Sequence, residues 1–348
     1  MKDSVSINNI RKIFESEENY EKIIKDYKEK YNKKIIASPY YFIPPEIIAA
    51  FNIVALKIPE FMLDKSAMIC SRPPSAGGNN HLIFDMVVIS DRECFCNENI
   101  KSIQHYIFKT PGGFGEDAAV ALHNELSLML NTLFSIEIKS IDIEVLQRET
   151  AVYERLRRLI RNISALRAEN MTVLSNNELS LIFETALILP PEIAIQYITP
   201  VLEEIKIYDN KNEDIKIRAL LYGKKYIPHL IADNIERMGI LIAEDDLCTG
   251  RRMFDVSLNA ESEYIFYEIL DAYTYRPLWA CLRPVNERYE LVYKLLKNYK
   301  IDCVIFYKDE HCHDLNKHID YLRIKLMRDG IDPLVIDKDN YEFNDINR

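Results

Sequence analysis

No stretch of this chain is apolar for long enough to cross a bilayer, and its first residues, MKDSVSINNIRKIF, hold no uninterrupted hydrophobic leader segment. Neither membrane insertion nor secretion is therefore expected, and the expected compartment is the cytoplasm. Excess positive charge is also missing. The formal net charge is −10, which argues against broad binding of nucleic acid or of anionic membranes. The phosphate loop G-x-x-x-x-G-K-[ST] does not occur. Paired C-x₂₋₄-C motifs of a structural zinc site are absent as well. The 7 cysteines are odd in number and scattered. That usage fits a reducing compartment, where a cysteine is a core residue, a metal ligand or a redox centre.

What is present reads as α/β. At 348 residues with 48% hydrophobic and 28% charged content, the chain is long enough for two globular lobes. Residues 1–33 read as one charged amphipathic helix, with Phe14, Tyr20, Ile23, Ile24 and Tyr27 at helical spacing. The first lobe, 34–140, begins with a short buried strand at Ile35–Ala37. Pro44, Pro45 and Glu46 then open a helix, where proline and an acidic residue suit the free N–H groups and the dipole. Further strands are read at Ile53–Leu56 and Met86–Ile89. Residues 141–205 form a helical connecting region. Asp142 is read there as a cap, and Ser175 to Glu178 (SNNE) as a capping box. Arg155, Arg157, Arg158 and Arg161 fall close together in this region; they could bind a phosphate-bearing ligand, but with nearby glutamates they are read as a solvated helix face. The second lobe, 206–348, alternates apolar runs (KIRALLYG, ILIAEDD, CVIFYKDE, PLVIDKD) with helices, the pattern of parallel strands covered on both faces.

Several cysteines follow strands. Cys94 and Cys96 come after FDMVVIS, Cys248 after ILIAEDD and Cys312 after CVIFYKDE, while Cys70 precedes the turn-rich SRPPSAGGNN. Loops at strand ends are where ligands gather in α/β sheets, and packing explains such positions less readily than it explains Cys303 within a strand or Cys281. An iron–sulfur cubane can draw its thiolates from distant parts of a chain, and three protein thiolates leave one iron open. Against this stands the ordinary burial of free cysteine as a small hydrophobe. PGGFG, Pro111 to Gly115, is read as a turn, and His81, His105 and His123 as structural or solvent-facing.

The order of IPPEIIAAF, the cysteine at Cys70, FDMVVIS with its following cysteines, RLRRLIRNISALR, the SNNE helix, IRALLYG, GILIAEDDLCTGRR, NERYELVYKLLKNYKIDCVIFYKDEHCHD and GIDPLVIDKDN is similar to one family. From about Lys34 to Asp339 the chain resembles the 2-hydroxyacyl-CoA dehydratase components, which include benzoyl-CoA reductase subunits, and in particular the smaller, beta-type component. The resemblance implies two Rossmann-like lobes with short parallel sheets and an oxygen-sensitive [4Fe–4S] cluster between them. Its three cysteines match Cys70, Cys312 and one of the Cys94–Cys96 pair. Cys96, followed by Asn97 with Lys101 further on, is the nearer chemical match. Cys94 lies closer to the family's distance from Asp85 and stays as an additional cofactor-binding position.

The activity so implied is a lyase reaction: radical elimination of water from a (R)-2-hydroxyacyl-CoA to the enoyl-CoA. One low-potential electron reaches the thioester carbonyl, the α-hydroxide leaves, the β-proton becomes acidic, and the electron is returned. The implied partners are a paralogous second subunit in a heterodimer, an ATP-dependent activator protein that delivers the electron under anaerobic conditions, and the acyl-CoA itself. Glu46 is the candidate general base, although complementing the helix dipole explains it equally well. Asp245, Asp246, Thr249, Gly250 and Arg251 form a strand-end turn that orients a ligand or fixes the lobe interface. The chain departs from the family at Phe51 (for glycine), Asn97 (for an acidic residue) and His313 (for aspartate), and a bulky Phe51 is expected to narrow a substrate pocket. Two other readings stay open: a benzoyl-CoA-reductase-type subunit, and a non-catalytic cluster-bearing electron carrier or scaffold.

Overall fold

A computed structural model describes residues 4–39, 42–59, 62, 83–91, 105–113, 115–170, 174–207, 217–224, 226–275, 284–308 and 313–337. The strands follow from short apolar, β-branched runs too brief for helices. In the first half these are β1 (Lys34–Ser38), β2 (Ile53–Lys57), β3 (Met86–Ser90) and β4 (His105–Phe108). All pair in parallel, in the order β2-β1-β3-β4. In the second half β5 (Ile217–Gly223), β6 (Ile240–Leu247), β7 (Cys303–Lys308) and β8 (Leu334–Asp337) repeat that pattern as β6-β5-β7-β8. The expectation of two α/β lobes with short parallel sheets is met. β4 escaped the sequence reading because only Phe108 of its four residues is buried, so the run carries little apolar signal.

The first sheet is apolar on both faces, as parallel sheets covered by helices must be. Ile35, Val54 and Leu56 join one core, and Ile36, Ile53, Ala55, Met86 and Val88 join another. The first core is shared with the N-terminal helices α1 (Val5–Glu15) and α2 (Glu17–Tyr31), and with α5 (Ile143–Asn170), α6 (Asn176–Ile188) and α7 (Pro191–Ile207). The N-terminal segment is thus two helices, not one. Ser16 breaks them: its backbone is extended (φ −153°) and its hydroxyl accepts from the Asn19 N–H at 3.2 Å, capping α2. The Ser175 capping box and the Asp142 cap are both present.

The second core holds α3 (Pro45–Ala49), α4 (Glu116–Phe134) and α9 (Ile265–Tyr275). Chain order is not respected here, because α9 lies between β6 and β7 in sequence yet packs its Ile265, Ile269 and Tyr273 against the first sheet's helices. The second sheet is covered by α8 (His229–Arg237) on one face, and on the other by α10 (Val285–Asn298) and α11 (His313–Arg328). One irregularity in it matters below. β6 carries a bulge after Ile242, so that Leu220 pairs with Glu244 and Tyr222 with Asp246. Side chains alternate along a strand, so this one-residue slip decides which of two adjacent aspartates faces α10.

Candidate active site

In both sheets the chain changes direction between two neighbouring central strands, β1 and β3 in the first and β5 and β7 in the second. The crevice outside the carboxyl ends of such strands is the usual ligand site of open α/β sheets. At that edge of the first sheet a cavity of about 10 Å³ is lined by Ala37, Ser38, Phe42, Ile43, Leu56 and Val88, among others. It has room for about one water molecule. The Ser38 hydroxyl, at the end of β1, is buried and makes no hydrogen bond to any of the described residues. A separate groove of about 680 Å³ lies between α1, α2 and α7, lined by Lys12, Lys22, Asp26 and Gln196, among others.

Glu46 opens α3 directly after this edge and is fully buried. A carboxylate is tolerated there because the Arg157 guanidinium of α5, itself buried, forms an ion pair with it. The pair continues as a network. Arg157 Nη1 donates to Glu154 Oε2 at 3.2 Å, and Arg161 donates to the other Glu154 oxygen and to the carbonyls of Phe254 and Val256, both at 2.8 Å. The Leu258 N–H also donates to Glu154, at 3.3 Å. α3, α5 and the chain beyond β6 are thereby tied together. The reading of these arginines as a solvated face holds for the exposed Arg155 and Arg158 alone. Arg157 and Arg161 lie on the opposite side of α5, where the lobes supply acceptors that helical spacing cannot reveal.

The second crevice is richer in charge. At the end of β6, Asp246 is clasped by two guanidiniums: Arg252 Nε donates to Oδ1 at 2.7 Å, and Arg288 Nη2 of α10 lies 2.9 Å from Oδ2. Burial opposes its ionisation, but Arg252 and Arg288 outweigh it and hold the Asp246 carboxyl below the usual range. Asp245 faces the other way. Burial pushes it up to about 7, against the Arg251 and Leu247 N–H groups that donate to its Oδ1. Gly250 makes this turn possible, since a Cβ there would stand 1.9 Å from Asp245 Oδ1. Glu244 pairs with Arg251. The turn read from the sequence is therefore real, but its guanidinium partner for Asp246 is Arg252, with Arg288 added from 36 residues further on.

Of the cysteines, Cys70, Cys94, Cys96, Cys281 and Cys312 lie outside the described residues, as do His81, Asn97 and Lys101. What the fold gives is their starting points: the segments bearing Cys70, Cys94 with Cys96, and Cys312 follow β2, β3 and β7 in the chain. The two described cysteines are unsuited to holding a cluster. Cys248 is buried in the second apolar core, with Arg252 Nη1 donating to its sulfur at 3.8 Å, so packing does account for this strand-end thiol. Cys303 starts β7, at the opposite edge, and burial, with Asp302 beside it, raises its thiol to about 11. No group of three or more metal-ligating side chains occurs among the described residues. His105 opens β4, and His123 on α4 meets the Phe266 ring edge-on at 5.8 Å. Phe51 sits where α3 turns into β2, half-buried against the second core. That is the amino edge of the sheet, because Ile53 pairs with Lys34, so Phe51 does not line the crevice as expected.

The profile of one protein family, the D-component of 2-hydroxyglutaryl-CoA dehydratase, matches residues 40–346. The chain belongs to that family. The dehydratase D-component match begins after β1 and takes in all five candidate residues, Glu46, Cys70, Cys94, Cys96 and Cys312. No curated protein sequence gives a match. Among solved structures, the laminin-binding protein Lbp of Streptococcus pyogenes aligns over 87% of this chain and 88% of its own at 8% identity, with a TM-score of 0.21. A likeness that loose carries no argument about fold or ligand. No helix among the described residues of this dehydratase component is long and apolar enough to cross a membrane.

Sequence reading alone did not find Ser38, Arg252 or Arg288, and it set Arg157 on a solvated face although it is buried against Glu46. Ser38 and Arg288 give no local signal. Arg252 stood beside the residue chosen, and the bulge in β6 could have been neither seen nor placed from its apolar pattern.

Proposed function

We propose that this dehydratase component is the iron–sulfur subunit of a 2-hydroxyacyl-CoA dehydratase, with Cys70, Cys96 and Cys312 as cluster ligands and Cys94 as an additional thiol near it. The family match over residues 40–346 carries this reading. The donor set supports it, since three thiolates suit iron, and each assigned segment follows the carboxyl end of a parallel strand. When bound, a [4Fe–4S] cluster supplies electron transfer and a Lewis-acidic iron for a substrate oxygen.

The chain's own residues hold the reacting groups. Glu46 is our general base for the substrate proton, and Arg157 fixes its carboxylate through the buried pair. Ser38, at the end of β1 with a hydroxyl that no described residue engages, would donate to a ligand oxygen at the same edge. The Glu154–Arg161 network holds α3 in register with the chain that follows β6, and keeps water from the Glu46 side of α5.

The test is reconstitution without oxygen. Alone, the purified chain should be inactive, because it has no nucleotide loop. With a paralogous second subunit, an activator ATPase, ATP and a reductant, it should dehydrate a (R)-2-hydroxyacyl-CoA. ATP should be needed to start turnover and then only in substoichiometric amounts, since the electron is recycled. ATP use in proportion to product would replace this reading with a reductase of the benzoyl-CoA type. An intact cluster without turnover would replace it with an electron carrier or scaffold.

A further inference from the structure

Past its first turn, α4 presents an outer face without charge. Between Ala118 and Ser135 the only Asp, Glu, Lys or Arg is Glu125, which is buried and accepts from the Tyr106 hydroxyl at 2.8 Å. Val120 and Leu128 stand outward, each 54% exposed, with the exposed Asn124 between them. Charged residues make up 28% of the chain, so this face differs from the surface at large. A helix face turned only to water ordinarily carries charge. Depletion of charge beside exposed tyrosine is instead the composition of a protein–protein contact. α9 supplies the tyrosine. It lies alongside α4, where the Phe266 ring meets His123, and its flank carries Tyr264, Tyr267 and Tyr275, at 69%, 69% and 52% exposure. Tyr275 reaches the start of α4, its hydroxyl 3.9 Å from the place a Cβ would take on Gly115.

The symmetry of the face decides what fits it. Val120, Asn124 and Leu128 are spaced by four and form one ridge of the helix. Outward from Asn124, residues 120–128 (VALHNELSL) match like with like: Leu122 with Leu126, the small Ala121 with the small Ser127, and Val120 with Leu128. A closed pair of identical copies needs such a self-complementary patch, because residue i meets j while j meets i. With a two-fold axis at Asn124, Val120 of each copy lies beside Leu128 of the other. Ala121 and Ser127 let the helices approach, and the two Asn124 amides, donor and acceptor alike, bond across the axis. The net charge of −10 makes copies repel, and an uncharged face is where that repulsion costs least. The size agrees as well. A helix of 19 residues is about 28 Å long. With α9 beside it at about 10 Å, the face projects to roughly 600 Å², comparable with the roughly 800 Å² per partner of a stable interface.

We propose that two copies of this chain associate through α4, packed antiparallel about a two-fold axis at Asn124, with the α9 tyrosines as the rim of the contact. The proposal does not depend on the acyl-CoA reading.

The experiment follows the mass of the full-length chain, purified without oxygen, by sedimentation velocity from low micromolar to submillimolar concentration. Wild type should pass from monomer to dimer. Leu128→Glu, and separately Val120→Glu, should raise the dimer dissociation constant about thirtyfold or more. Far-UV circular dichroism should stay as in wild type, since both side chains already stand in solvent. Ile324→Glu, equally exposed at 54% but on α11, should leave association unchanged. At the axis the two Asn124 Cα atoms would stand about 5 Å apart, within disulfide reach. Asn124→Cys should therefore link to the same position of the second copy under glutathione disulfide, with the bond located by mass spectrometry. A wild type that is monomeric at every concentration overturns the proposal, and that result needs no variant. A dimer that survives Leu128→Glu, or that Asn124→Cys does not link, overturns it too. If the chain alone is monomeric and Leu128→Glu abolishes capture of the paralogous second subunit, the face belongs to that subunit and self-association falls.

Discussion

Glu46 on α3 and Arg157 on α5 meet as a buried ion pair, joining the helix that leaves β1 to the long helix between the lobes. Removing one partner strands the other's charge. Arg157→Met should therefore cost about 3–5 kcal/mol in urea denaturation, and adding Glu46→Gln to it should cost less than the two single changes summed. Activity separates structure from chemistry. At a temperature where Glu46→Gln stays folded, kcat should fall by about 10²–10⁴ if the carboxylate moves a proton. A loss that merely tracks the unfolded fraction would leave Glu46 a structural residue.

The cysteines should divide by position. Cys312→Ser, like Cys70→Ser and Cys96→Ser, should abolish or destabilise iron binding, since a hydroxyl replaces a thiolate poorly on iron. Cys303→Ser and Cys248→Ser should leave iron and sulfide intact, the latter with some loss of stability because its sulfur packs in an apolar core. Equal iron in the Cys312 and Cys303 variants would sink the ligand assignment.

Asp245 should leave a mark on the pH dependence of stability. Its carboxyl stands at about 7 in the fold against an ordinary value of 3.8, owing to burial. Between those values the folded state holds a proton the unfolded chain has lost. The group's contribution to stability is therefore fully present below about pH 4 and declines as pH rises toward 7. Asp245→Asn removes that decline. Relative to wild type, its melting temperature should improve as pH is raised from 5 to 8; a constant difference across that range would refute the assignment.

Gly250→Ala tests the turn itself. With a Cβ only 1.9 Å from Asp245 Oδ1, either the carboxylate or the backbone must move. The expected cost is about 1–3 kcal/mol, with loss of the Asp245 bond to the Arg251 N–H. Stability unchanged within error would mean that the turn relaxes freely.

Much of the architecture could be read from residues. Runs such as IRALLYG and CVIFYK are short and apolar throughout, which dictates parallel strands buried on both faces, and SNNE places its helix start to the residue. Where the pattern is local, the reading held. It failed at Ser16, where a polar break inside an amphipathic stretch is also a capping residue, and at β4, whose edge position leaves it nearly unburied.

The charged interior was beyond such reading. Arg157 and Arg158 are adjacent and chemically identical, yet one is buried on Glu46 and the other lies in solvent, because helical rotation turns one of them toward α3. Asp245 and Asp246 likewise face opposite sides of β6, and the bulge decides which of them goes to its own turn and which to Arg252 and Arg288. Apolar periodicity records which faces leave water, and it does so from neighbours in the chain. The partner of a buried charge is chosen by groups that approach from other elements, after the sheets and helices have packed.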